Sequence, residues 1–259
     1  MRKYNLLQPL FLSFYSKSLY QDVGKRWSST TFLYLLLLLA LVWIPAMFKL
    51  QQEFSRWIQQ EAPALVSQIP TITITNGEVT TDVETPYFIR EPEKDTVLAI
   101  IDLTGEYTSL DDSEARMLLT KDTFFMKKDE RETRTYDLSG IEKFAVDENR
   151  VAGWLELLAT WLPVLLYPFA VLFSFLFRLV QALLYAAIGL LFAKALKAPL
   201  GYAALLRLAI VAITPVILLS TAAELAGVTI PSRWLLAFVV AMIYLFFAVK
   251  ATTEPESEF

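Results

Sequence analysis

Between Trp27 and Phe48 no residue carries a charge, and the segment contains the uninterrupted run Leu33-Tyr34-Leu35-Leu36-Leu37-Leu38-Leu39-Ala40. Roughly 20 apolar residues cross a bilayer as a helix, because the hydrocarbon core is about 30 Å thick and the helix rises about 1.5 Å per residue. Residues 27–48 therefore read as transmembrane helix 1. A cleaved signal peptide fits less well. The region ahead of the apolar run is too long, and Ile44-Pro45-Ala46-Met47 is a poor cleavage site, so the segment reads as an uncleaved signal anchor. Arg2, Lys3, Lys17, Lys25 and Arg26 precede it. Positive charge stays inside, which places residues 1–26 in the cytoplasm and the chain after the anchor outside it.

Within residues 1–26, aromatic and aliphatic side chains alternate with the basic ones. Positions 11, 15, 19 and 23 (Phe11, Tyr15, Leu19, Val23) recur at helical spacing. The pattern predicts a cytoplasmic amphipathic helix lying on the membrane surface.

Residues 49–153 differ in character. From Gln51 to Gly153 there are 21 Asp and Glu against 11 Lys and Arg, a net charge of −10, while the rest of the chain carries 6 against 12, a net of +6. The acidic portion is a poor partner for nucleic acid. Its first part, to about Ser67, has helical spacing at Phe54, Trp57, Ile58 and Ala62. Then Thr71-Ile72-Thr73-Ile74-Thr75 alternates strictly and meets Asn76-Gly77, a hairpin signal, with Glu78–Val83 as the return strand. Val97–Ile101 reads as a short buried strand ending at Asp102. Thr123–Met126 and Thr133–Tyr136 read as further strands. Asp111 and Asp112 are placed to cap a short helix through Met117-Leu118-Leu119, and Ser139-x-x-Glu142 has the form of a capping box before another. The expectation is a small extracytoplasmic α+β domain.

Asp147 is positioned as an N-cap, and from Gly153 to Ala193 almost every residue is apolar, with Glu156, Arg178 and Gln181 as the main exceptions. About 40 helical residues span about 60 Å, twice what the bilayer requires. One helix projecting beyond the membrane, a break near Pro163 or Pro168, or two crossings would each account for this. Lys194, Lys197 and Arg207 bracket the next loop and place it inside. Leu208–Ala223 then crosses outward, Gly227–Arg233 turns, and Trp234–Val249 returns to Lys250. The expected fold class is an α-helical membrane protein of four transmembrane helices, with a three-helix block over 154–250, a cytoplasmic tail over 251–259 and both termini inside. Arg233 is the charge that breaks the rule. A five-crossing alternative puts Lys194, Lys197 and Arg207 outside.

Histidine and cysteine are both absent. Imidazole acid–base chemistry, thiolate nucleophiles and Cys/His metal sites are thereby excluded. There is no phosphate-binding glycine loop, no Gly-x-Ser-x-Gly and no dinucleotide fingerprint. Asp102 at a strand end, followed by Thr104-Gly105, has no partner motif and reads as a turn residue. Asp111-Asp112-Ser113-Glu114 lacks the spacing of a calcium loop. No catalytic, cofactor-binding or metal-binding residue is expected. Arg178 and Glu224 are the ionisable residues deepest in apolar surroundings. Charges there face inward and pair, or else snorkel to the interface, so an intramembrane Arg178–Glu224 pair is the candidate site. Pro215, inside the third crossing, is the candidate helix kink.

Ser13-Phe14-Tyr15-Ser16-Lys17-Ser18-Leu19-Tyr20-Gln21-Asp22-Val23, then Trp27 and the leucine-rich anchor, resembles a bacterial membrane family known as domain of unknown function 1189. Ile69–Val79 with Pro86 and Ile100-Ile101-Asp102-Leu103-Thr104-Gly105 resemble it too. The C-terminal third, with Tyr202, Arg207 and Pro215, is similar to the broader Yip1-like membrane fold. The resemblance implies a bacterial cytoplasmic-membrane protein, and since the family has no established activity it carries over no catalytic residues. A loose association of some relatives with maltodextrin use implies an accessory to sugar uptake. The expected function is that of a non-enzymatic scaffold or accessory subunit, its outer domain binding or sensing a ligand. Its partners are the lipid bilayer and a protein in or outside the membrane. The alternative is a transporter or uptake accessory using Arg178 and Glu224, for which four crossings would require homo-oligomerisation.

Overall fold

A helix that is apolar on every side has no face to give to water. The structure, a computed structural model, describes residues 2–92, 94, 96–111, 113–129, 132–228 and 231–255. Its helices are α1 (Pro9–Leu12), α2 (Lys17–Arg26), α3 (Thr30–Gln60), α4 (Ala62–Val66), α5 (Glu148–Ala195), α6 (Tyr202–Ala212), α7 (Thr214–Leu225) and α8 (Arg233–Thr253). Four helical segments are long and apolar enough to cross a membrane: α3, α5, α6 with α7, and α8. The chain divides into a helical unit, Met1–Leu50 with Pro163–Phe259, and a sheet unit, Gln51–Leu162.

In the helical unit, α3 buries Thr31, Tyr34, Leu35, Leu38 and Leu39, spaced by three and four. Leu33, Leu36, Leu37 and Leu41 on its other side are exposed. Both faces are apolar. α5 is a single helix of 48 residues containing Pro163 and Pro168, so neither proline ends it. At about 1.5 Å per residue it is about 72 Å long, well beyond a bilayer core. The centre of the unit is α6 and the start of α7. Leu205, Leu208 to Ile213, Val216 and Ile217 are all buried.

The N-terminal segment departs from the single amphipathic stripe read from the sequence. The chain breaks between α1 and α2, and the four repeated positions split. Phe11 and Tyr15 are exposed, whereas Leu19 and Val23 are fully buried in the helical core. Ser16 caps α2 by accepting from Leu19 N–H. α2 packs against α6 and α8. A Cβ added at Gly24 would meet Thr252 at 3.4 Å and Leu208 at 3.7 Å, ordinary van der Waals contact.

Among the described residues, the sheet unit has eight strands in two sheets. β1 (Ile72–Thr75), β2 (Glu78–Thr81), β3 (Tyr87–Arg90) and β4 (Val97–Ile101) precede β5 (Met117–Leu119), β6 (Thr123–Lys127), β7 (Thr133–Asp137) and β8 (Lys143–Val146). One sheet has the order β2-β1-β8 and the other β3-β4-β5-β6-β7. The β1–β2 hairpin turns on Asn76 and Gly77 with φ of 50° and 84°, as a two-residue type I′ turn requires. A Cβ on Gly77 would lie 2.7 Å from the Cα of Ser139, so only glycine fits.

Two short helices expected from the sequence are not formed. Met117-Leu118-Leu119 is β5, pairing parallel with β4, where Leu118 is buried beside Ile100, Leu110 and Ala115. Asp112, the second proposed cap, lies outside the described residues. Ser139 to Glu142 is a turn rather than a capping box. There the carbonyls of Ile141 and Glu142 accept from Gly77 and Asn76 N–H, which leads the chain into β8. Asp147 does cap α5, its carboxylate accepting from Arg150 N–H at 2.8 Å.

Candidate functional site

Parallel strands need a crossover, and here the crossover from β4 to β5 begins at Asp102. That carboxylate is fully buried. One oxygen accepts from Thr104 N–H at 2.8 Å and Thr104 Oγ1 at 2.6 Å, the other from Tyr107 N–H at 2.6 Å. Burial pushes its pKa upward. The bonds from Thr104, Tyr107 and Gly105 outweigh this and hold it below the ordinary carboxylate value. These donors all belong to the loop, so Asp102 organises the crossover. Asp111 lies exposed in the same loop, its N–H donating to Ser109 Oγ.

The sheet unit also holds an open cleft of about 380 Å³, built where three segments meet: the stretch after α4, the stretch after β2 and the first turn of α5. Its walls are tied by side-chain bonds to backbone. Gln68 donates to Ala64 O and Arg90 O and accepts from Arg90 N–H. Tyr87 Oη donates to Gln68 O. Asp82 accepts from Thr71 N–H at 2.9 Å. Asp82, Asp147 and Glu148 line the opening with Ser67, Thr71 and Asn149. Carboxylates and hydroxyls in an acidic unit present hydrogen-bond acceptors, a surface suited to binding a donor-rich or cationic group. Among the described residues, no group of three or more Asp or Glu side chains is placed to hold a metal ion.

In the helical unit the residues proposed from the sequence go to separate partners. Arg178 donates to Gln181 Oε1 at 2.7 Å, and Gln181 donates on to Tyr185 Oη at 2.8 Å. Glu224 instead meets Arg233 at 3.0 Å. Gln181 stands one turn from Arg178 on α5, and Arg233 faces Glu224 across the α7–α8 turn, so both charges are satisfied locally and the expected pair is not formed. Pro215 is in the first turn of α7, immediately after the interruption at Ile213, where no intrahelical N–H is needed. Beside it Thr214 is fully buried and shares a 2.8 Å hydrogen bond with Tyr34 Oη.

A denser polar cluster, missed in the sequence, surrounds α2. Asp22 is fully buried. It accepts from Lys3 N–H at 3.1 Å to each oxygen, Trp27 Nε1 at 2.9 Å and Arg26 at 3.2 Å. Arg207 donates to the carbonyls of Val23 and Gly24, the last turn of α2. Gln21 donates to the carbonyls of Ala251, in the last turn of α8, and Glu254, just past it. Lys17 meets Glu254 at 2.7 Å. α2 is thereby fastened to α6 and to the end of α8. The available signal was Asp22 itself, the sole acid before Glu53, set among five basic residues.

A sequence family described as "Protein of unknown function (DUF1189)" matches residues 7–249. The chain belongs to this family. The match runs from just ahead of α1 through most of α8, so α2, the sheet unit and most of the apolar helices fall inside DUF1189, while Lys3, Ala251 and Glu254 of the α2 cluster lie outside the matched residues. The family description gives no residue a role. No curated protein and no solved structure matches the chain.

Proposed function

We propose that this member of DUF1189 is a non-enzymatic protein of the bacterial cytoplasmic membrane, anchored by α3 and crossing four times with both termini inside. Its sheet unit lies outside and binds or senses a ligand through the polar cleft. Its helical unit, Yip1-like in its C-terminal part, serves as scaffold or accessory subunit for a protein partner. One observation carries this reading: the acidic sheet unit, with its cleft, is inserted in the chain between two helices long and apolar enough to span a membrane. Basic residues before α3 and around the α5–α6 loop agree with the orientation. The separate partners of Arg178 and Glu224 favour a scaffold over a transport path through both.

Crosslinking in native membranes, followed by purification of the tagged chain, tests the reading. The expected result is a protein partner recovered with the intact chain and depleted with Glu148→Lys, which reverses a charge at the cleft mouth. Recovery of the chain alone in both cases would contradict it.

A further inference from the structure

Residues 4–16 carry no charge and lie between Lys3 and Lys17. A segment of this length is too short to cross a bilayer, and it fits a re-entrant or interfacial one. Its geometry distinguishes the two. Its mouth is closed at the base: Lys3 N–H bonds Asp22, Tyr4 Oη and Ser18 Oγ are 2.5 Å apart, and Lys17 meets Glu254, just past the end of α8. From that base the segment rises along the bundle. The Phe14 ring stands edge-on to Tyr244, nine residues before the end of α8 and about 13 Å along it by helical rise. α1 packs against α7, which begins at the buried Thr214. Leu6, Leu10 and Leu12 pack on the helical core, while Leu7, Phe11 and Tyr15 face outward and are exposed, Phe11 by 75%.

The backbone is also prepared for a medium without water, where every unmet N–H is costly. From Leu7 to Ser16 each N–H is donated. Leu7 and Gln8 reach Asn5 Oδ1. Leu10 to Ser16 reach carbonyls of residues 7 to 12, and Pro9 has none to donate. Asn5 N–H is taken by Gln8 Oε1 and the Ser13 carbonyl by Tyr20 Oη. The two amide side chains of the segment are thus used on its own backbone.

We infer that residues 4–16 form a re-entrant segment that dips into the lipid hydrocarbon from the same side on which it starts, with Leu7, Phe11 and Tyr15 against acyl chains. The inference rests on the membrane reading above, so its test carries an internal ruler. The chain has no cysteine, so single cysteines at Phe11, Ser29, Leu33 and Leu37 of the full chain can each take a bimane label. Labelled protein is placed in phosphatidylcholine vesicles brominated at defined acyl depths. α3 supplies the ruler, because Tyr34 bonds Thr214 at the start of α7, the helix on which α1 packs.

The expected result is that bimane at position 11 loses emission to acyl bromines at the depth found for position 33 or 37. Tyr15→Cys serves as a second site if Phe11→Cys does not fold. A label at 11 or 15 that matches position 29, or that aqueous iodide quenches, overturns the inference and leaves a surface helix. If position 37 is itself not quenched by acyl bromines, the membrane reading fails and the inference with it.

Discussion

Asp22→Leu destabilises the helical unit by about 3–5 kcal/mol, the usual consequence of removing one member of a buried charged network and stranding the others. The side chain is fully buried and serves Lys3 N–H, Trp27 Nε1 and Arg26 together. Without it, two neutral donors and part of a guanidinium lose their acceptor at the point where the N-terminal segment closes. The main contribution is the desolvated donors, since Arg26 is partly exposed and a solvated pair is worth little. Amide hydrogen exchange in detergent reads the effect. Protection over α2 falls by roughly 100- to 4,000-fold, following the tenfold change per 1.4 kcal/mol. Asp22→Asn keeps one accepting oxygen and loses less. Unchanged protection in Asp22→Leu would show that α2 is held by its apolar face alone.

The second large effect is in the sheet unit. Asp102→Ala removes an acceptor bonded by Thr104, Tyr107 and Gly105, and costs on the order of 4 kcal/mol, because hydrogen bonds to a charged group contribute about 1.5–3 kcal/mol each and are not additive. The crossover loosens, and with it the parallel pairing of β4 and β5. Exchange in those two strands accelerates while the helical unit is unaffected. A pH signature accompanies this. The Asp102 carboxyl is held below its ordinary value of 3.8 in the folded state. A depressed acid stabilises the fold fully above the unfolded value, and that contribution is lost as pH falls through the folded one. The wild-type sheet unit therefore loses protection below about pH 4, and Asp102→Ala lacks this part of the acid dependence. Parallel acid profiles for the two proteins would remove Asp102 from its assigned role.

What the sequence disclosed follows from which interactions are local. The apolar spans were legible because absence of charge over a bilayer's length is a one-dimensional signal. The β1–β2 hairpin was legible because Asn76-Gly77 states its own turn. β5 was not, since three residues show no period and its parallel partner β4 lies across a long loop. The turn at Ser139 to Glu142 was read as a helix start because its real partners, the amides of Asn76 and Gly77, are distant in the chain. α2 was misplaced for a similar reason. Lys17, Gln21, Asp22, Lys25 and Arg26 within ten residues read as a wet surface, yet Gln21 and Asp22 are buried by exchanging water for Ala251 O, Lys3 N–H and Trp27 Nε1. Arg178 and Glu224 drew attention as isolated charges. Gln181 is three residues from Arg178 on the same helix, whereas Arg233 is brought to Glu224 only by the return of the chain from α7 into α8.

Four crossings with the sheet unit outside leave the C-terminus in the cytoplasm, and a pair of reporter fusions there measures its side. One reporter is active only in the cytoplasm, the other only beyond the membrane. The expected result is activity from the cytoplasmic reporter alone. Activity from the outer reporter alone would mean an odd number of crossings, put Lys194, Lys197 and Arg207 outside, and contradict it.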